Sequence, residues 1–199
     1  QLETVKNLNT KISIITNLSS DHLDRYKNIN DYINQKKNII TKQGINLISI
    51  DDIYSRRIFF KKNIRNKISF SLLNPNADIY INDKIISDNY FKKNKKICLN
   101  NISKDLEGDF NKQNILIAYI CARILKISDE KFLSVIKNFK GLPYRSNIIF
   151  QNRNIKIINN SKSTNINSSI NSVKNYKNIY LILGGIAKEQ EFSLFNNFK

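Results

Sequence analysis

Short apolar runs closed by polar residues alternate along the chain with stretches whose apolar residues recur every three or four positions. The run Ile12-Ser13-Ile14-Ile15 predicts a first buried strand from Ile12 to Asn17, ending where polar groups begin. Asn30 or Asp31 can cap a helix through about Lys42, and Tyr32 and Lys36, four apart, share one face of it. A second strand, Ile45 to Ile50, ends in Asp51-Asp52, with room for a short helix behind it. Lys67 to Leu72 and Asp78 to Ile86 read as strands, the latter as a hairpin turning at Asn82-Asp83. Asn89 to Lys104 reads as basic loop with a short strand at Ile97 to Leu99. Ile115, Leu116, Ala118, Tyr119, Ala122 and Leu125 form the apolar face of a helix from Lys112 to Leu125. A second helix follows from Asp129 to Phe139, capped by Ser128 or Asp129. Gly141-Leu142-Pro143 punctuates the chain and marks a domain boundary. Strands Asn147 to Gln151 and Ile155 to Asn159, a helix from Ile166 to Tyr176, and a buried parallel-type strand Ile179 to Leu183 complete the pattern. Strand–helix alternation of this kind predicts an α/β fold with a mainly parallel sheet.

Composition adjusts this reading in two ways. At 41% apolar over 199 residues, the chain can bury a core. Its formal charge of +17 would attract phosphate in a nucleotide, a nucleic acid or an anionic membrane. The cations are scattered, however, and Ile, Asn and Lys are abundant throughout, so most of the charge reads as solvated surface and nucleic acid is not an expected partner. Cys98 and Cys121 share no metal-binding spacing, and Cys121 lies inside an apolar helical pattern. Ile115 to Ala122 is too short an apolar run to span a bilayer, and no signal peptide opens the chain. A cytoplasmic protein without a membrane partner is expected. The missing initiator Met hints that Gln1 is not a natural start.

Candidate chemistry is spread over five places, each with a bland counterpart. No G-x-x-x-x-G-K-[ST] or G-x-G-x-x-G loop occurs. Thr16 to Arg25 holds the only histidine, His22, between Asp21 and Asp24, just past a strand end where chemistry gathers in α/β sheets; a capped helix start with an exposed histidine would look the same. With Lys36 one helix on, His22 could belong to a metal pocket. Gly108-Asp-Phe-Asn111-Lys-Gln-Asn114 sets two carboxamides three apart at a helix start, suited to a purine edge or to simple capping. Gly141-Leu-Pro-Tyr-Arg145 could fix an arginine on a phosphate or ribose, or serve only as a linker. Asn159-Asn160-Ser161-Lys162-Ser163-Thr164-Asn165 leads from a strand into a helix and could hold an anion there. Gly184-Gly185-Ile-Ala-Lys188 repeats that logic, and for both the alternative is a solvated loop.

In this order, Asp-His-Leu-Asp-Arg, Tyr-x-x-x-Lys, Gly-x-x-Asn-x-x-Asn, Gly-Leu-Pro-x-Arg, Asn-x-Ser-Lys-x-Thr-Asn and Gly-Gly-x-x-Lys resemble the Mur ligases. The Ser-Lys-x-Thr-Asn stretch points to the D-glutamate-adding branch over the other branches and the folylpolyglutamate synthases. Asn74-Pro75-Asn76-Ala77-Asp78 and Gln1-Leu2-Glu3 look alike too. The resemblance implies an internal fragment: residues 1–142 from the later part of a central ATP-binding domain, and 143–199 from the first part of a Rossmann-like, amino-acid-binding C-terminal domain. It implies ATP-driven amide formation between UDP-N-acetylmuramoyl-L-alanine and D-glutamate through an acyl phosphate, with ATP and magnesium (Mg2+) required and a monomer as the working state. On it, His22 would ligate magnesium and Lys36 would be carbamylated to help place a second ion. Asn111 and Asn114 would meet adenine, and Arg145 and Asn160 ribose and phosphate. Lys162, Thr164 and Lys188 would hold the incoming amino acid and reacting phosphate. Lacking a phosphate loop, residues 1–199 alone are expected to be inactive. Phe110 and Tyr144 replace the family's histidines and Asn160 an aspartate, so a non-catalytic relative is one competing reading. A basic nucleic-acid-binding module is the other.

Overall fold

The computed structural model describes residues 9–18, 26, 28–106, 108–164, 166–173, 176–185 and 192–197. The chain divides into two compact units. The first comprises Gln1–Asn101 with Lys112–Leu133, the second Ile102–Asn111 with Ser134–Lys199.

The first unit is built on a six-stranded sheet in the order β1-β2-β3-β4-β5-β6. β1 (Ile12–Ile15), β2 (Ile45–Ser49), β3 (Lys67–Ser71) and β4 (Ile79–Asn82) run parallel. β5 (Ile85–Asp88) and β6 (Lys95–Cys98) fold back as an antiparallel meander. β4 and β5 turn at Asp83, at φ 51°, as the Asn-Asp pair predicts. Helix α1 (Ile29–Lys36) follows β1 and α2 (Ile53–Phe59) follows β2. Ile15, Leu18, Tyr32, Ile33, Ile48 and Ile58 form one buried cluster between these helices and the sheet. Ile48, packed in that cluster, and Leu47, on the opposite face of β2, are both fully buried, so both faces of the sheet are covered there.

Buried polar groups fix the register. Asn46 is 0% exposed. It accepts from the Ser13 hydroxyl at 2.7 Å and Thr41 N–H at 3.0 Å, and donates to the carbonyls of Thr41 and Arg65 at 3.0 and 3.1 Å. All its valences are met, so burial costs little. Beside it, a Cβ on Gly44 would lie 2.3 Å from the Thr10 carbonyl oxygen, which only glycine avoids.

Helix α3 (Asp109–Ile124) and helix α4 (Asp129–Lys137) each begin in one unit and end in the other. Ile115, Leu116, Tyr119 and Ala122 of the predicted face are buried along α3, as is Ile120, whereas Ala118 and Leu125, also placed on that face, are exposed. α3 ends in a Schellman turn: Ile127 N–H bonds Ala122 C=O at 2.8 Å and Lys126 N–H bonds Arg123 C=O at 3.1 Å. Lys126 takes the left-handed position at φ 59°, normally a glycine's. Ser128 caps α4, accepting from Lys131 N–H at 3.3 Å.

In the second unit, β7 (Asn147–Gln151) and β8 (Lys156–Asn159) pair antiparallel, and α5 (Ile166–Val173) follows. Three expectations are corrected. α1 is capped by Asn28, whose side chain accepts from Asp31 N–H at 3.0 Å, not by Asn30 or Asp31. α5 stops at Val173, short of Tyr176. Ile179 to Leu183 forms no strand; Tyr180 and Ile182 are 99% and 95% exposed. Its apolar run has the composition of a core strand, but composition cannot supply the neighbouring strands on which burial depends. Among the described residues, no helix is long and apolar enough to cross a membrane.

Candidate functional site

In the first unit, polar groups gather where β1 and β2 end. Asp52 caps α2, its Oδ1 accepting from Tyr54 and Ser55 N–H at 2.9 and 2.8 Å. Its Oδ2 accepts from Leu18 N–H at 3.2 Å and from the Ser55 hydroxyl. Asp52 thereby ties the residue leading into the Asp-His-Leu-Asp-Arg stretch to the start of α2. Gln113 on α3 donates to the Thr16 carbonyl at 3.1 Å. Asp51 accepts from the Ser71 hydroxyl and from Leu72 N–H at 2.9 Å. These two carboxylates, unremarked as functional in the sequence, hold strand ends together. His22 lies outside the described residues, as do Asp21, Asp24 and Arg25.

Lys36 occupies the last turn of α1, where a cation complements the helix dipole. Its ammonium stands 5.2 Å from the centroid of the Tyr32 ring. Tyr26 meets that ring edge-on at 5.4 Å. The i, i+4 spacing thus does bring Tyr32 and Lys36 together, with a buried ring as the platform for a half-buried amine. Among the described residues, no group of three His, Cys, Asp or Glu could hold a metal ion. A hard cation held by one or two protein ligands plus phosphate oxygens still fits, because magnesium keeps few protein ligands.

Asn111 and Asn114 lie three apart in the first turns of α3, Asn114 exposed. Asn111 donates its side-chain N–H to the Asp105 carbonyl at 3.2 Å. Asp105, which sequence reading passed over, then accepts from Gly141 N–H through its carboxylate at 2.9 Å. A Cβ on Gly141 would lie 3.1 Å from Asp105 Cβ, so the glycine permits this approach. Asp105 links Asn111 to the Gly-Leu-Pro turn. Its neighbours Lys104 and Leu106 carry no pattern that would have revealed it.

The Gly-Leu-Pro turn continues into a second clasp. Arg145 N–H bonds the Leu142 carbonyl at 3.2 Å, and Tyr144 and Ser146 take φ of 64° and 49°. Across the hairpin, Asn160 Oδ1 accepts from Ser146 N–H at 3.0 Å, and Lys162 N–H bonds the Tyr144 carbonyl at 3.0 Å. Arg145, Asn160 and Lys162, distant in sequence, are therefore brought to one end of the β7–β8 pair. Arg145 and Lys162 are exposed there, as is Thr164, two residues before α5. Two cations and an amide beside a helix start can engage a phosphate or a carboxylate. Asn160 spends its carbonyl oxygen on the backbone, a task an aspartate could do equally. Its amide N–H groups are donors that an ionised aspartate would lack. Lys188 lies outside the described residues.

A family model described as the Mur ligase middle domain matches residues 1–122. The UDP-N-acetylmuramoylalanine–D-glutamate ligase of Rickettsia bellii is 35% identical over 198 residues, covering 95% of this chain and 43% of that protein. The ligase of the same name from Buchnera aphidicola subsp. Schizaphis graminum is 37% identical over 203 residues, covering 100% of this chain and 45% of that protein. The chain thus spans less than half the length of these relatives. Among solved structures, MurF from Acinetobacter baumannii aligns with TM-score 0.62 at 17% identity, over 81% of this chain and 36% of that one. UDP-N-acetylmuramate-alanine ligase MurC from Thermotoga maritima aligns with TM-score 0.58 at 19% identity, over 77% and 35%. These two likenesses concern the fold.

Proposed function

Because the chain belongs to the Mur ligase family, we propose that it forms part of an ATP-dependent ligase joining D-glutamate to UDP-N-acetylmuramoyl-L-alanine. The observation that carries this reading is the 35–37% identity to two ligases of that name along nearly the whole chain. Residues 1–142 would belong to the ATP-binding domain and 143–199 to the domain receiving the amino acid. In the proposed reaction, the alanyl carboxylate attacks the γ-phosphorus of ATP, the bond to the β,γ-bridging oxygen breaks, ADP leaves and an acyl phosphate forms. The amine of D-glutamate then attacks the acyl carbon, phosphate leaves, and the amine gives up a proton as the amide forms. Negative charge grows on the transferred oxygens, so fixed cations lower the barrier.

Each part of the chain would contribute its own groups. Asn111 and Asn114 would read the adenine edge, with Asp105 holding Asn111 in position. Arg145 and Asn160 would orient ribose and phosphate. Lys162, Thr164 and Lys188 would hold the incoming amino acid and the reacting phosphate. His22 and Lys36 would hold magnesium, which supplies charge neutralisation on the phosphates. A lysine ammonium repels a metal, so Lys36 would act as its carbamate, a carboxylate-like oxygen donor. The Tyr32 ring beside it would fix where those oxygens stand.

The test uses a chain completed to the relatives' length. Lys36→Ala is expected to remove ligase activity, and a short-chain carboxylate such as acetate to restore part of it. Full activity of Lys36→Ala without added carboxylate would refute the carbamate role. Phosphate release dependent on both D-glutamate and UDP-N-acetylmuramoyl-L-alanine tests the substrates independently of that role.

A further inference from the structure

We propose that the cavity at the carboxyl end of α3 binds a small phosphate-bearing anion. The cavity has a volume of about 270 Å³ and is lined by Lys92, Lys95, Arg123 and Lys126, with Asp88 and Ser128. That is below the size of most drug-sized ligand pockets and suits a compact ion. It lies at the other end of α3 from Asn114, about 18 Å away at roughly 1.5 Å per residue.

Four cations from two turns, Lys92 and Lys95 on one and Arg123 and Lys126 on the other, line the cavity, and the acids Asp88 and Asp129 beside them are already engaged. Asp88 is 0% exposed. Its carboxylate accepts from Tyr90 N–H at 3.0 Å, Phe91 N–H at 2.8 Å and the Tyr119 hydroxyl at 2.7 Å. Asp129 pairs with Lys95, and with Arg123 Nη1 at 3.0 Å. Among the described residues, no ion pair to Lys92 or Lys126 occurs, and the buried Nε of Arg123, like the buried Oδ1 of Asp129 beside it, has no hydrogen-bond partner. Arg123 also donates to the Ile127 carbonyl, which holds its guanidinium against the cavity wall. Helix-dipole complementarity accounts for Arg123 and Lys126 at the end of α3. It does not account for Lys92 and Lys95, which come from the turn into β6 and from β6 itself. Asp129 offsets the charge of Lys95 and Arg123 only in part and leaves the exposed Lys92 and Lys126 unpaired, and a phosphate dianion can accept several charge-assisted hydrogen bonds at once.

The test is calorimetric titration of the 199-residue chain with inorganic phosphate, with glycerol 3-phosphate, and with chloride at matched ionic strength. Saturable binding of one phosphate compound per chain, absent with chloride, is expected. The double variant Lys92→Gln, Lys126→Gly should weaken it roughly tenfold, about 1.4 kcal/mol. Lys126→Gly relieves the left-handed backbone at that position, so this variant should fold at least as well as the parent. Asn114→Ala should leave the binding intact. Tighter binding of glycerol 3-phosphate would mark an esterified phosphate as the ligand, and tighter binding of inorganic phosphate the free ion. Undiminished binding by the double variant, loss of binding in Asn114→Ala, or an equal response to chloride would overturn the proposal.

Discussion

Tyr119 donates its hydroxyl to Asp88 at the centre of the first unit, and both side chains are fully buried. Burial, reinforced by the bond to Asp88, pushes the Tyr119 phenol well above its usual value near 10. The folded state therefore keeps a proton that the unfolded chain releases above about pH 10. This contribution is fully present below that pH and is lost as pH rises through the higher folded value. Urea midpoints should fall above pH 10 in the parent and fall less in Tyr119→Phe. At neutral pH that variant should cost about 1–3 kcal/mol, because it strips a donor from a buried carboxylate. Burial likewise pushes the Cys121 thiol up, while Cys98 is exposed. Iodoacetamide should label Cys98 in the native chain faster than the half-buried Cys121, a difference that unfolding should remove and mass spectrometry can follow. Sequence spacing put Tyr119 on the apolar face correctly. It could not show that Asp88, thirty-one positions upstream, would be the tyrosine's partner.

At the scale of elements, the parallel strands were legible as short Ile-rich runs closed by polar residues, and α3 because its apolar face is long. Boundaries were less so, since caps depend on which nearby Asn or Asp turns toward the backbone. Asn28, not Asn30, does so for α1. Asp52 shows what a cap can add beyond its own helix, as its second oxygen also holds Leu18 at the end of β1. Asp52→Ala should cost about 0.5–2 kcal/mol for the cap, with a further loss from the freed Leu18 N–H. Hydrogen exchange should show earlier opening at residues 16–18 as well as in α2. A loss confined to α2 would show that the link to Leu18 carries no energy. Asp105 lies at the opposite extreme of legibility, because its role depends on three segments meeting and no periodicity records that.

For the whole molecule, the α/β architecture and the order of the motifs followed from the chain, whereas the grouping of residues 102–111 with 134–199 did not. The β7–β8 pair gathers Arg145, Asn160 and Lys162 by backbone bonds that no motif spacing encodes. Asn160→Asp should keep the Ser146 clasp and the urea midpoint, while Asn160→Ala should lose about 1 kcal/mol. Equal midpoints for the two variants would show the clasp to be energetically idle. The segment Ile179 to Leu183 carries a different consequence. Five consecutive apolar residues in an exposed stretch outside any strand are a template on which a second chain can pair. At this length the protein should therefore self-associate as its concentration rises, and more so in high salt, where the repulsion of its +17 charge is screened. Replacing Ile182 by lysine, a gatekeeper on that stretch, should keep it dispersed without changing its melting temperature.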